Sequence, residues 1–139
     1  MILLDTNVIS EPLRQTPDER VIAWIDAQPM ETLFLSVITV AELRAGVALL
    51  PAGKRRSGLH HDLEKRVLPL FAGRVLPLDM ACTQAYAALM AKSRSMGLAI
   101  ATSDAYIAAI AATHGFTVAS RGIKPFKAAG VSVIDPWQV

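Results

Sequence analysis

Three acidic residues, Asp5, Glu42 and Asp104, stand where local structure would bring no cation beside them. Glu42 lies in Val37-Ile38-Thr39-Val40-Ala41-Glu42-Leu43-Arg44-Ala45-Gly46, a segment that reads as a helix apolar on nearly every side. Its helical neighbours, three and four positions away, are Ile38, Thr39, Ala45 and Gly46, while Arg44 is two positions on and points elsewhere. These surroundings predict a shielded carboxylate, which needs a counter-charge from outside its helix or must take up a proton. Asp104 has Ile100, Ala101, Ile107 and Ala108 at the same spacings, again without a cation. Asp5 follows Ile2-Leu3-Leu4 directly and precedes Thr6-Asn7.

Each acid alone has a simpler role. Asp5 can cap the following helix, Asp104 can favour a helix dipole, and Glu42 can pair with a distant Arg or Lys. Together they describe acids at the end of a strand and on two helix faces. Converging carboxylates repel by several kcal/mol at a few ångströms, even at an effective dielectric of about 20. A hard divalent cation removes that repulsion, and oxygen-only ligation suits Mg²⁺ or Mn²⁺ rather than zinc. The matching substrate is a phosphodiester, whose oxygens the metal would neutralise while lowering the pKa of an attacking water.

The elements that must position these acids alternate between short branched apolar runs and longer helical patterns. Residues 2–5 read as a buried strand, followed by a helix from Val8 to Leu13. Thr16-Pro17-Asp18-Glu19 has the form of a helix start, with Thr16 as cap, Pro17 in the first turn and Glu19 three residues after the cap. Leu33–Leu35 reads as a strand and Val37–Leu50 as a helix, broken by Pro51-Ala52-Gly53. Leu59, Leu63, Val67 and Leu70 give a helix over 59–71, and Arg74–Leu78 a strand. Asp79 caps the next helix, which carries Cys82, Tyr86, Leu89 and Met90 and stops near Gly97. Thr102 or Ser103 caps another, closed by His114-Gly115, and strands at Phe116–Ala119 and Val131–Ile134 complete the series. Strands separated by helices imply parallel pairing with right-handed crossovers, hence a doubly wound α/β sandwich of about five strands. Its active crevice lies beyond the carboxyl ends of the strands, where Asp5 falls.

The chain has 139 residues, which fits a single domain over 1–139, and 53% of them are hydrophobic, which excludes intrinsic disorder. A lone cysteine, Cys82, cannot form an internal disulfide and reads as inert core. The N-terminus lacks the features of a signal peptide, and no apolar run approaches the roughly 20 residues of a membrane span, so a soluble cytoplasmic protein is expected. A net charge of +2 permits a nucleic-acid substrate without arguing for one. Lys54-Arg55-Arg56 reads as a solvated loop or helix start rather than a phosphate contact.

Three segments, in order, resemble the motifs of PIN-domain proteins, especially the toxin subunits called VapC and FitB. They are Met1-Ile2-Leu3-Leu4-Asp5-Thr6-Asn7-Val8-Ile9-Ser10, Ser36-Val37-Ile38-Thr39-Val40-Ala41-Glu42-Leu43 and Asp104-Ala105-Tyr106-Ile107-Ala108-Ala109. The likeness to FitB continues through Leu68-Pro69-Leu70-Phe71-Ala72-Gly73-Arg74 and Pro136-Trp137, so it covers nearly the whole chain. The resemblance implies a PIN-like three-layer sandwich with a central parallel sheet. It implies an endoribonuclease whose acids hold Mg²⁺ or Mn²⁺ and whose products carry a 5′-phosphate and a 3′-hydroxyl. It also implies the toxin role of a type II toxin–antitoxin system, a homodimer, and an antitoxin partner that blocks the site and binds DNA. By that resemblance Asp5, Glu42 and Asp104 are metal ligands, and Thr6 or Asn7 orients Asp5 or the attacking water.

One position departs from the pattern. Many relatives carry a fourth acid after the strand at Phe116–Ala119, and here Gly122 stands in Ser120-Arg121-Gly122-Ile123. Ser120 or Ser103 offers an oxygen but no charge, which leaves a second metal in question. Gly122 is also what favours the alternative function, a catalytically weak PIN-fold module acting with an antitoxin on DNA. An aspartate-nucleophile phosphotransferase fits less well, since Asn7 stands where its second acid belongs. The adjacent His60 and His61 point about 100° apart on a helix and cannot chelate together. His114 is placed to favour a helix C-terminus.

Overall fold

The computed structural model describes residues 1–139. Five strands occupy Ile2–Leu4 (β1), Leu33–Ser36 (β2), Val75–Leu76 (β3), Thr117–Ala119 (β4) and Val133–Ile134 (β5). They form one sheet in the order β3-β2-β1-β4-β5, with every neighbouring pair parallel. Ile2 is in register with Leu33 on one side and Thr117 on the other, which makes β1 the central strand. The helices are Thr6–Ile9 (α1), Glu19–Ala27 (α2), Val37–Ala48 (α3), Lys54–Asp62 (α4), Met80–Ser95 (α5), Thr102–His114 (α6) and Ile123–Ala128 (α7).

The two-residue period of a strand divides β1 between two cores. Leu3 joins Ile107, Val118, Phe126 and the buried Cys82 under α5, α6 and α7. Leu4 joins Val8, Leu33, Leu35, Leu63 and Phe71 under α1 to α4. Helices thus cover both faces, the arrangement that all-parallel sheets require. None of them is long and apolar enough to cross a membrane.

Several element boundaries differ from the sequence expectation for identifiable reasons. The first helix starts at Thr6, capped by Asp5, and gives way to a 3₁₀ turn at Glu11–Leu13, where Pro12 has no N–H to continue an α-helix. Asp18, not Thr16, caps α2, accepting a hydrogen bond from the Arg20 backbone N at 2.9 Å. A tertiary contact fixes that choice, because the Asp18 backbone N donates to Glu11 Oε2 at 2.8 Å. The helix expected from Leu59 begins earlier, at Lys54, so the basic cluster is its first turn. It then widens into a π-helical stretch at Leu63–Val67 and tightens to 3₁₀ at Leu68–Phe71, where Pro69 interrupts the ladder. Neither Thr102 nor Ser103 caps α6; its cap residue is Ala101, with no side-chain bond. Helix α7 was not expected.

Candidate active site

The chain winds from β1 outward to β2 and β3, then returns across the sheet to place β4 against the other side of β1. The point of return lies between β1 and β4, and open parallel sheets have their crevice at such a switch. Asp5 and Ser120 are the first residues beyond those two strands. The Asp5 backbone N donates to the Ala119 carbonyl at 2.9 Å, extending the ladder by one bond and fixing where its side chain begins.

The Asp5 carboxylate is held from two directions. Oδ1 accepts the Thr6 backbone N–H at 2.8 Å, and Oδ2 accepts the Ser120 hydroxyl at 2.7 Å. Ser120 is fully buried, and its Oγ also accepts the Gly122 N–H at 3.1 Å and the Asn7 amide at 3.4 Å. Asn7 in turn accepts the Arg121 backbone N–H at 3.3 Å, so its side chain bridges the two strand ends. Thr6 reaches the other way: its hydroxyl donates to Glu42 Oε1 at 2.7 Å and lies 3.1 Å from the Thr39 hydroxyl. Ser36 caps α3 by accepting the Thr39 N–H at 3.0 Å, which orients the helix that carries Glu42.

Glu42 is exposed, contrary to the shielded position its apolar neighbours predict. Helix α3 lies at the surface, burying Leu43 and Val47 inward while Ala41, Ala45 and Gly46 face out with Glu42. Arg44 points elsewhere, as its spacing requires, and pairs with Glu64 at 2.8 Å.

Asp104 occupies the first turn of α6 and is partly buried. Burial raises its pKa, and the nearby Glu42 raises it further, with no donor or cation in opposition. Asp5 is also raised, chiefly by burial; the bonds from Ser120 and Thr6 pull it back, and Asp104 and Glu42 push it up again. The structure therefore brings the three acids within electrostatic reach of one another. The ion pairs of the molecule, Arg14–Glu11, Arg20–Asp18, Arg44–Glu64 and Arg66–Asp62, engage none of them.

This donor set fits a hard divalent cation: it is all oxygen, mutually repulsive and uncompensated. It does not form a closed cage, since no three acidic, His or Cys side chains stand close enough together to ligate one ion. Mg²⁺, which keeps several waters and takes only one or two direct carboxylates, is the hard cation that needs no such cage. Sequence reasoning had not found Ser120 as the group that fixes Asp5, nor Thr39 beside Thr6. A signal for Ser120 existed, since it follows a short apolar strand just as Asp5 does. Gly122 has φ −86° and ψ 80°, and a Cβ there would meet only Ser120 Oγ at 3.9 Å.

The family model described as PIN domain matches residues 2–131. The chain is 64% identical over 138 residues to the plasmid stability protein StbB of Pseudomonas syringae pv. tomato, covering 99% of both. It is 56% identical over 138 residues to the VapC ribonuclease Y4jK of Sinorhizobium fredii, covering 99% of both. It is 55% identical over 137 residues to the toxin FitB of Neisseria gonorrhoeae, again covering 99% of both. Its fold matches the crystal structure of FitAcB from Neisseria gonorrhoeae with a TM-score of 0.97 at 54% identity, over 100% of both chains. The structure of FitAB bound to an IR36 DNA fragment matches with the same TM-score at 52% identity, covering 100% of this chain and 97% of that one.

Proposed function

The chain belongs to the PIN-domain family, and on that premise we propose that it is a Mg²⁺- or Mn²⁺-dependent endoribonuclease, the cytoplasmic toxin of a type II toxin–antitoxin pair. The observation that carries this reading is that Asp5, Glu42 and Asp104 lie within electrostatic reach of one another beside the topological switch, with no ion pair to any of them. The names of two full-length relatives, a VapC ribonuclease and a FitB toxin, support it. When bound, the divalent cation offsets the charge of the acids and of the phosphate. The residues of the chain prepare that encounter. Ser120 and the Thr6 N–H hold Asp5 in one orientation, and the Thr6 hydroxyl holds Glu42 across the same gap. Asp104, in the first turn of α6, lies within electrostatic reach of both. Such fixed carboxylates need no reorganisation when the phosphodiester arrives.

The partners in this reading are an RNA substrate, a second copy of the chain and an antitoxin. An Arg from the antitoxin entering among the carboxylates would replace the cation, since bidentate pairing with carboxylate is what guanidinium does best. Its expected position is against Asp5, and an inhibitory segment that leaves the acids open would contradict the mechanism.

The test is cleavage by the purified chain, free of partner. A structured RNA should be cut with Mg²⁺ or Mn²⁺ and left intact once EDTA is added. Glu42→Gln and Asp104→Asn should abolish cutting while circular dichroism stays unchanged. If these variants unfold instead, the acids are structural and the reading fails. Gly122 favours a second reading, in which a catalytically weak chain acts mainly with its antitoxin on DNA. Its signature would be a folded, RNA-inactive chain that still shifts operator DNA together with the antitoxin.

A further inference from the structure

Asp104 lines a second surface besides the acid cluster. A cleft of about 580 Å³ lies between the loop joining α5 to α6 and helix α7, with Met96, Leu98, Lys124, Pro125 and Lys127 in its walls. Its volume falls within the roughly 300–1,000 Å³ typical of sites that take a small molecule. Two of its features call for a ligand. Lys124 and Lys127 are three residues apart on α7 and so share one face; both are exposed, and neither joins an ion pair, every one of which uses an arginine. Opposite them, Met96 and Leu98 leave 55% and 44% of their surface open to solvent.

Unpaired cations facing an open apolar surface suit a ligand with an anionic group and a flat apolar one. A nucleotide has both, in its phosphate and its base. An acidic amphipathic peptide shares that chemistry, but the position of the cleft favours the nucleotide. Asp104 belongs both to the cleft wall and to the acid cluster, so the cleft and the cluster adjoin at that residue. A phosphodiester chain seated in the cleft therefore has one of the three acids at its edge.

We propose that this cleft is the subsite for the nucleotide adjoining the cleaved bond of a single-stranded RNA segment, with Lys124 and Lys127 on its phosphates and Met96 and Leu98 under its base. The inference rests on the ribonuclease reading and adds to it a binding site with named contacts. These residues bind and position the strand. The lysines carry affinity and its salt dependence, and the apolar pair distinguishes a base-bearing chain from bare phosphate.

The experiment measures polyuridylate binding in Mg²⁺ by the full chain carrying Glu42→Gln, so that nothing is cut. Adding Lys124→Gln with Lys127→Gln should weaken binding about tenfold and reduce the slope of log affinity against log salt by about 1.4. Lys65→Gln, a cation away from the cleft, should change neither. Met96→Ser with Leu98→Ser should weaken polyuridylate several-fold while leaving inorganic polyphosphate binding unchanged. In the otherwise natural chain the lysine pair should raise KM for RNA and leave kcat nearly alone, the mark of uniform binding. If the natural chain cuts RNA but the lysine variant keeps its affinity and slope, this inference is wrong and the ribonuclease reading stands. If the natural chain neither cuts nor binds RNA, the ribonuclease reading fails and the subsite with it. If Met96→Ser with Leu98→Ser changes self-association or antitoxin affinity while polyuridylate binding holds, the surface docks a protein and the proposal is overturned.

Discussion

Asp5 and Glu11 stand on either side of one short helix, both nearly sealed from solvent at 6% and 3% exposure, and the fold treats their charges in opposite ways. Glu11 is compensated. Its two oxygens accept the Arg14 guanidinium at 3.1 and 3.2 Å, and Oε2 also accepts the Asp18 N–H at 2.8 Å. Asp5 receives only a hydroxyl and a backbone N–H, and its charged neighbours are two more acids. Every polar atom is satisfied in both places, since no buried side-chain nitrogen or oxygen lacks a partner. Hydrogen bonding therefore does not separate the two sites. What separates them is who cancels the charge: at Glu11 the chain does so itself, and at Asp5 the charge is left for something that binds.

The comparison breaks most visibly at Asp5. Asp5→Asn should lower RNA cleavage by about a hundred- to a thousandfold, as loss of one fixed electrostatic group does. The same variant should not cost stability without metal. Burial and two acids raise the Asp5 pKa, so the folded state holds its proton more tightly than the unfolded chain does. That contribution is fully present below the ordinary value of 3.8 and is lost as pH rises through the higher folded value. Urea unfolding should show Asp5→Asn matching the natural chain at low pH and exceeding it as pH rises through the folded pKa of Asp5, above which the gain levels off, with the gain removed by saturating Mg²⁺. An unfolded or uniformly destabilised variant would falsify the assignment of Asp5 to a binding role.

Ser120→Ala sharpens the same contrast by one step. It removes the donor to Asp5 Oδ2 without altering any charge. Cleavage should fall by about ten- to a hundredfold, the usual cost of losing a group that orients a ligating carboxylate. The Asp5 pKa should rise further, moving the acid limb of the pH–rate profile upward. A profile that drops without moving would mean Ser120 acts only through packing.

Glu11→Gln probes the opposite region. It weakens charge-assisted bonds to Arg14 and to the Asp18 N–H that seats α2, and the loss should be about 1–2 kcal/mol in urea unfolding. RNA cleavage at saturating Mg²⁺ should stay unchanged. A large loss of cleavage with full stability would erase the distinction drawn between the two acids.

The smallest structural effect belongs to Gly122→Asp. The residue has a negative φ, its Cβ has room, and it precedes α7 at a position where Asp caps well. Stability should change by less than about 0.5 kcal/mol. Calorimetry should find one Mn²⁺ on the natural chain, with a second recruited by nucleotide, and both on the variant without nucleotide. Two tight ions on the natural chain would mean another group does the work of the missing acid.

The sequence by itself determined the architecture and the cast of acids. Alternation of short apolar runs with helical patterns is a local property, and it sufficed for a parallel α/β sheet with helices on both faces. The absence of cations at helical spacing around Glu42 and Asp104 is local too, and it marked both residues. Tertiary structure decided which groups meet. Ser120 reaches Asp5 only because β4 returns beside β1, and Thr6 reaches Glu42 only because α3 leaves β2 on the other side. It also exposed Glu42, since the surface position of α3 depends on what packs beneath it and not on the hydropathy of its own residues. The same holds for Glu11, whose buried pairing moved the cap of α2 from Thr16 to Asp18. Periodicity records the direction in which each residue faces along its own element; the order of strands in the sheet sets which faces come together, and that order is fixed by the packing of the whole chain.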